Sequence, residues 1–270
     1  MKKLLALGLA CAACGNISPA SLTATRFVSA SLVSVPSVSA SGVASPAGAA
    51  ATVFFGDIDT AKAASGAANG TVPSDALTPR AGATLTLTWA DKSVKLADNG
   101  GGSYGADSTS SMLAVAAGTE YTLTIVFSGD TYTAKVTPGA AIPMTNFASS
   151  PVAAQAQTAD FVATRSDGGG TKRAFLTVAK LDPSNPTDAS NVTFTTAPHD
   201  AISILEFALG NGDPQWTSAT ITAPHATAFP AAGNYLATLM SAAKGTTSDN
   251  LFAGSVFLGL TGSAGGLKVQ

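Results

Sequence analysis

Between residues 121 and 136 apolar side chains fall on every second position: Tyr121, Leu123, Ile125 and Phe127, then Tyr132, Ala134 and Val136. A helix brings together residues three and four apart, whereas a strand sends successive side chains to opposite faces, so this spacing admits only strand. Ser128-Gly129-Asp130 supplies the turn between the two runs, and the segment is predicted to be an antiparallel hairpin. Pro138, Gly139 and Pro143 end it, because proline has no N–H to give to a ladder. The same period governs Thr84 to Trp89, where Leu85, Leu87 and Trp89 alternate with threonines. Asp91-Lys92 turns that strand into Val94 and Leu96, and the run from Asp98 to Ser103 is the next turn, rich in glycine and Asx side chains. Such a chain is expected to be all-β.

The remaining segments extend this pattern. Phe161 to Arg165 and Lys172 to Lys180, around a Ser166–Gly170 turn, read as a second hairpin. Val192 with Phe194, and the runs Thr217 to Ala223, Tyr235 to Ala243 and Leu251 to Leu260, read as further strands. From Asp200, a good N-cap, Ile202, Leu205 and Leu209 suit a short helix, but the strands on either side favour strand there too. An uncharged Ala/Pro/Ser/Gln stretch separates two domains, 51–145 and 158–270. Ahead of them, 14–50 contains Arg26 as its one charged residue, and its composition buries little apolar surface. It is expected to be a flexible tether in which Phe27 to Val35 can pair as a first strand.

The N-terminus fixes the compartment. Lys2 and Lys3 precede the apolar run Leu4 to Ala10, which is too short to span a bilayer and reads as a signal peptide. Ala12-Ala13-Cys14-Gly15 resembles the cleavage box of bacterial lipoprotein signals, with Cys11 at the position where that box prefers leucine and as the alternative site. The resemblance implies removal of 1–13, lipidation of Cys14, and residence in the bacterial cell envelope, at the outer membrane or cell surface rather than the inner membrane. Because Cys11 and Cys14 are the only cysteines, the mature chain would have no disulfide.

A second resemblance lies within the body. Ala116-Ala117-Gly118-Thr119-Glu120-Tyr121 and Ala231-Ala232-Gly233-Asn234-Tyr235 each open an alternating strand, and are similar to the approach to the tyrosine corner of immunoglobulin-like and fibronectin type III sandwiches. The resemblance implies two antiparallel Ig-like β-sandwich domains, each with a tyrosine hydroxyl bonded back to the preceding loop.

Composition narrows the function. Charged residues are 11% of the chain, against about a quarter in ordinary domains. Losing Lys2 and Lys3 takes the net charge from −2 to −4, so no basic face exists to attract nucleic acid. The two histidines, His199 beside Asp200 and His225, follow prolines, and no G-x-S-x-G nucleophile elbow accompanies them. A hydrolase is therefore the weakest reading, and no catalytic residue is assigned. The acidic residues Asp57, Asp59, Asp98, Asp107, Asp167, Asp182 and Asp188 sit in turns but miss the calcium-loop spacing, so neither metal nor cofactor is expected. Trp216 stands at the opposite parity to Ile221 and is the aromatic best placed to face outward and stack on a carbohydrate, although core or edge packing is the favoured reading there, since tryptophan is usually mostly buried. The chain is expected to be a non-catalytic, lipid-anchored module whose partner, besides the membrane, is an envelope protein or a glycan.

Overall fold

The computed structural model describes residues 20, 23–38, 44–68, 74–109, 111–181, 191–198, 207 and 213–270. The signal peptide with Cys11 and Cys14, the turn residues Asp182 and Asp188, His199 with Asp200, and all of 201–209 except Phe207 lie outside the described residues.

The fold is all-β. In chain order the strands of the first half are β1 (Arg26–Val38), β2 (Ala44–Ile58), β3 (Leu77–Pro79), β4 (Thr84–Trp89), β5 (Lys92–Lys95), β6 (Ala97–Gly100), β7 (Ser103–Asp107), β8 (Tyr121–Phe127) and β9 (Asp130–Val136). The second half adds β10 (Val152–Gln155), β11 (Phe161–Thr164), β12 (Arg173–Lys180), β13 (Val192–Thr195), β14 (Thr220–Ala223), β15 (Gly233–Lys244), β16 (Thr246–Thr247) and β17 (Val256–Val269). Among the described residues the strands are accompanied by the helices α1 (Thr60–Ala68) and the single turn α2 (His225–Ala228).

The β8–β9 hairpin has the expected register, with Tyr121 opposite Val136 and Phe127 opposite Asp130. In β4, Leu85, Leu87 and Trp89 are buried and the threonines are not, as the alternation requires. With β16, β5 and the hairpin, β4 forms a five-stranded sheet.

The largest element was not visible in the sequence pattern. Ten strands form one sheet in the order β13-β12-β15-β17-β1-β2-β7-β6, with β10 alongside β17 and β3 alongside β2. This sheet joins the two halves of the chain through β1 and β17, which pair in parallel from Ser29 opposite Val256 to Ser34 opposite Thr261. Residues 26–38 and 44–50 are accordingly strand in the middle of the body, and the expected tether over 14–50 does not extend past Arg26. The reason is that Val28, Ala30 and Leu32 of β1 and Ala49, Ala51, Val53 and Phe55 of β2 bury one face of the pair, while small side chains on the opposite face blur the alternation. The sheet is also mixed, since β10 too runs parallel to β17.

Two apolar cores share one face of this sheet. The first gathers β1, β2, β4, β8 and β9 around Phe55, Leu87, Tyr121 and Ile125, and draws Leu251 and Phe257 from the far end of the chain. The second gathers Phe161, Leu176, Ile221, Phe229, Tyr235 and Leu239, and β11 pairs with β14 as its outer layer. The expected hairpin of 161–165 with 172–180 is therefore corrected. β11 pairs with β14, whereas β12 pairs with β13 and β15, so the Ser166–Gly170 turn carries the chain from one layer to the other.

The side chain of Arg165 explains that crossing. It is fully buried at the turn, its guanidinium forked onto Asp167 at 2.9 Å and donating to the carbonyls of Trp216 at 3.0 Å and Lys172 at 2.9 Å. A forked guanidinium matches a carboxylate, and burying it is tolerable only with such full pairing.

The stretch between the cores lies flat on β17. Ser241 donates to the Ala140 carbonyl at 3.1 Å, Thr261 to that of Gly139 at 2.8 Å and Ser263 to that of Ile142 at 2.8 Å. Pro138 sits over Gly259 and Phe147 over Gly265, where an added Cβ would stand 2.3 Å from the phenyl ring. Only glycine permits so close an approach.

Candidate functional site

The tyrosine pair behaves alike in both halves. Tyr121 donates to the Ala114 carbonyl at 2.8 Å and accepts from the Ala116 amide at 2.9 Å, and Tyr235 donates to the Ala231 carbonyl at 2.7 Å. Both rings are fully buried, so these hydroxyls fasten loops to strands and are not available to a ligand.

Trp216 is inside. It belongs to a one-turn 3₁₀ helix, Pro214–Thr217, which Asp213 caps by accepting from the Gln215 amide. That turn breaks the strand parity on which outward placement depended. The indole is 3% exposed and donates through Nε1 to the Thr196 carbonyl at 2.7 Å. The rings of Phe175 and Phe207 meet it edge-on at 5.4 and 5.7 Å, and the Arg173 guanidinium lies 5.7 Å from its centre. These contacts cover the faces a sugar ring would need. Trp89 and Tyr104 are likewise buried.

His225 has a partner that the sequence did not suggest. Its Nδ1 lies 2.7 Å from Asp160 Oδ1, and the same oxygen accepts its backbone amide at 2.9 Å. Those bonds hold the Asp160 carboxyl below the usual carboxylate range, the backbone amide contributing most. Both side chains are about half exposed. Their joint work is to pin the start of α2 to the start of β11, and their separation of 65 positions hid the pairing.

The aspartates expected in turns bond protein groups, although Asp57, Asp98 and Asp107 lie within β2, β6 and β7. Asp59 caps α1 through the Ala61 and Lys62 amides, Asp98 accepts from Gly82 and Gly100, Asp107 from Thr109, and Asp57 pairs with Arg26 and Arg80. The amides at Asp98 and the guanidinium at Asp167 lower the pKa of each carboxyl. Among the described residues no three acidic, histidine or cysteine side chains converge as metal ligands.

What the sheet does offer is a groove on the face turned away from both cores. It has a cavity volume of about 310 Å³, within the range of small-ligand sites. Its floor is a cross-strand lattice. One row reads Val256, Ser29, Phe54, Ser103 over β17, β1, β2 and β7, and the next reads Leu258, Ser31, Thr52. The Ser31 and Thr52 hydroxyls bond each other at 2.7 Å. Phe175, Ala197 and Pro198 form the wall above β17. Among the described residues no charged side chain lines it. Phe54 was passed over as a candidate because it stands in an apolar run, Val53-Phe54-Phe55, and only the sheet order places hydroxyls on both its flanks.

The fold and this groove define an all-β protein with an uncharged recess of mixed apolar and hydroxyl lining, beside the buried cluster of Phe175, Trp216, Val256 and Leu258 on the same sheet face. Compared with known proteins, the chain matches no family model and no curated protein sequence.

Proposed function

We propose that the chain is a lipid-anchored protein of the bacterial cell envelope, serving as a non-catalytic structural or interaction module. The observation that carries this reading is the N-terminal run itself: two lysines, a short apolar stretch, and Ala12-Ala13-Cys14-Gly15. The module reading, with two Ig-like sandwiches, draws support from the paired cores and from the hydroxyls of Tyr121 and Tyr235, each bonded back to its preceding loop.

With β1 beginning at Arg26, eleven residues, 15–25, separate Cys14 from the folded body. Fully extended they reach at most about 40 Å. A protein anchored this way works close to its membrane.

Growth of a bacterial host with labelled palmitate tests the anchor. The wild-type protein and Cys11→Ala are expected to take up label and Cys14→Ala to lose it. Label that persists in Cys14→Ala while disappearing in Cys11→Ala would move the anchor, and no label in any form would remove it.

A further inference from the structure

We propose that the groove over β1, β2 and β7 binds a neutral oligosaccharide of β-linked hexopyranoses, with one sugar ring seated on Phe54. The inference rests on the reading of the chain as an interaction module and names a ligand for it.

The lattice of the floor selects the ligand. Phe54 presents a half-buried aromatic ring, tilted toward Phe27 with 6.3 Å between ring centres, and its direct cross-strand neighbours are Ser29 on one side and Ser103 on the other. Directly opposed side chains in a sheet are about 5 Å apart at Cβ. A β-linked hexopyranose has an apolar C–H face, which suits an aromatic plane, and hydroxyls spread around its rim, which fall over the two flanking serines. The Ser31–Thr52 hydroxyl pair continues the polar strip one row further along, within reach of an adjoining sugar unit.

Competing ligands fit less well on the same observations. A sugar acid, phosphate or amine would be desolvated with no opposite charge among the described lining residues. An acyl chain would cover the Ser29 and Ser103 hydroxyls without bonding them, which costs free energy for each group left unpaired. An extended peptide adding to the sheet needs a free strand edge. None exists here, since at these positions β1 lies between β17 and β2, and β2 between β1 and β7.

The site also differs from the one that parity suggested at Trp216. That indole lies behind Phe175, whose ring centre is 5.4 Å away and whose side chain forms part of the groove wall.

The test is a titration of the isotope-labelled mature protein with cellotetraose, followed by backbone amide shifts. The expected result is a set of saturable shifts clustered on Ser29, Ser31, Thr52, Phe54 and Ser103. Phe54→Ala is expected to weaken binding at least ten-fold. Phe54→Leu, which keeps apolar bulk but loses the flat ring, should do nearly the same with the spectrum otherwise preserved, so that a folding defect in the alanine variant does not decide the matter. Ser103→Ala, at an exposed position, should weaken binding several-fold. Absence of shifts up to the solubility of cellotetraose, or shifts centred elsewhere, overturns the proposal, as does dodecanoate moving the same amides while cellotetraose does not. Hydrolysis of cellotetraose alongside the expected shifts would instead leave the site standing and overturn the non-catalytic reading. The palmitate label at Cys14 is independent of every arm.

Discussion

Arg165 is the most constrained side chain in the second half. Its guanidinium is fully buried, and four acceptor groups surround it: the Asp167 carboxylate and the carbonyls of Trp216, Ser218 and Lys172. Arg165→Ala would strand those groups, and we expect a loss of about 3–5 kcal/mol in urea unfolding. The Asp167 carboxyl, held low chiefly by the Arg165 guanidinium, adds a pH signature. Its folded pKa lies below the unfolded one, so the stability it gives is complete above about pH 4 and disappears as pH falls through the folded value. Asp167→Asn should flatten that acid limb in pH-dependent thermal melts. Neither residue was legible beforehand. In the sequence Arg165-Ser-Asp-Gly-Gly-Gly looks like the tip of a hairpin, and only burial reveals it as the pivot between two layers. Trp216 is buried, the placement favoured for it, and the outward alternative that parity offered fails because a 3₁₀ turn resets the alternation on which face assignments depend.

Strand-level features divide sharply into those written locally and those that are not. The β8–β9 hairpin and β4 were readable because partner and turn lie within a few residues and one face is uniformly apolar. The tyrosine corners were readable as a repeated phrase, and the bonds differ in number: two at Tyr121 and one at Tyr235. Tyr121→Phe should therefore cost more than Tyr235→Phe, roughly 2 against 1 kcal/mol by denaturant midpoint. The segment over β17 was read as an uncharged linker, and its close seating depends on Gly259 and Gly265, whose role no periodicity announces. Gly265→Ala is expected to cost about 1–3 kcal/mol through collision with Phe147. Phe147→Ala should recover part of that cost in the double variant, a coupling measurable by a double-mutant cycle. Additive losses would mean that the ring does not rest on Gly265.

For the molecule as a whole, the consequence of one shared sheet is cooperativity. Leu123 sits in the first core and Leu176 in the second, both fully buried. Each leucine-to-alanine change should cost about 2–5 kcal/mol. Because β1, β15 and β17 connect the cores, we expect calorimetry of either variant to show one transition moved to lower temperature, with two separated peaks as the contrary result. A fragment of residues 51–145 lacks β1, β16 and Phe257 and is expected not to fold alone. The union of the two halves in one sheet was not legible in composition. Parallel pairing of Ser29 with Val256 links residues more than two hundred positions apart, and small side chains such as Ser29, Ala30 and Ser31 carry no mark of their partner.

The parallel ladder of β1 and β17 also bears on load. In parallel pairing the start of β1 lies beside the start of β17, so the chain enters at one end of the ladder, near Arg26, and leaves at the other, near Val269. Tension applied at the entry and resisted at the exit acts along the strands, and the slanted hydrogen bonds from Ser29 to Ser34 must shear together rather than open one at a time. Single-molecule pulling from the two termini should accordingly meet its main resistance at this ladder, ahead of any strand of the five-stranded sheet.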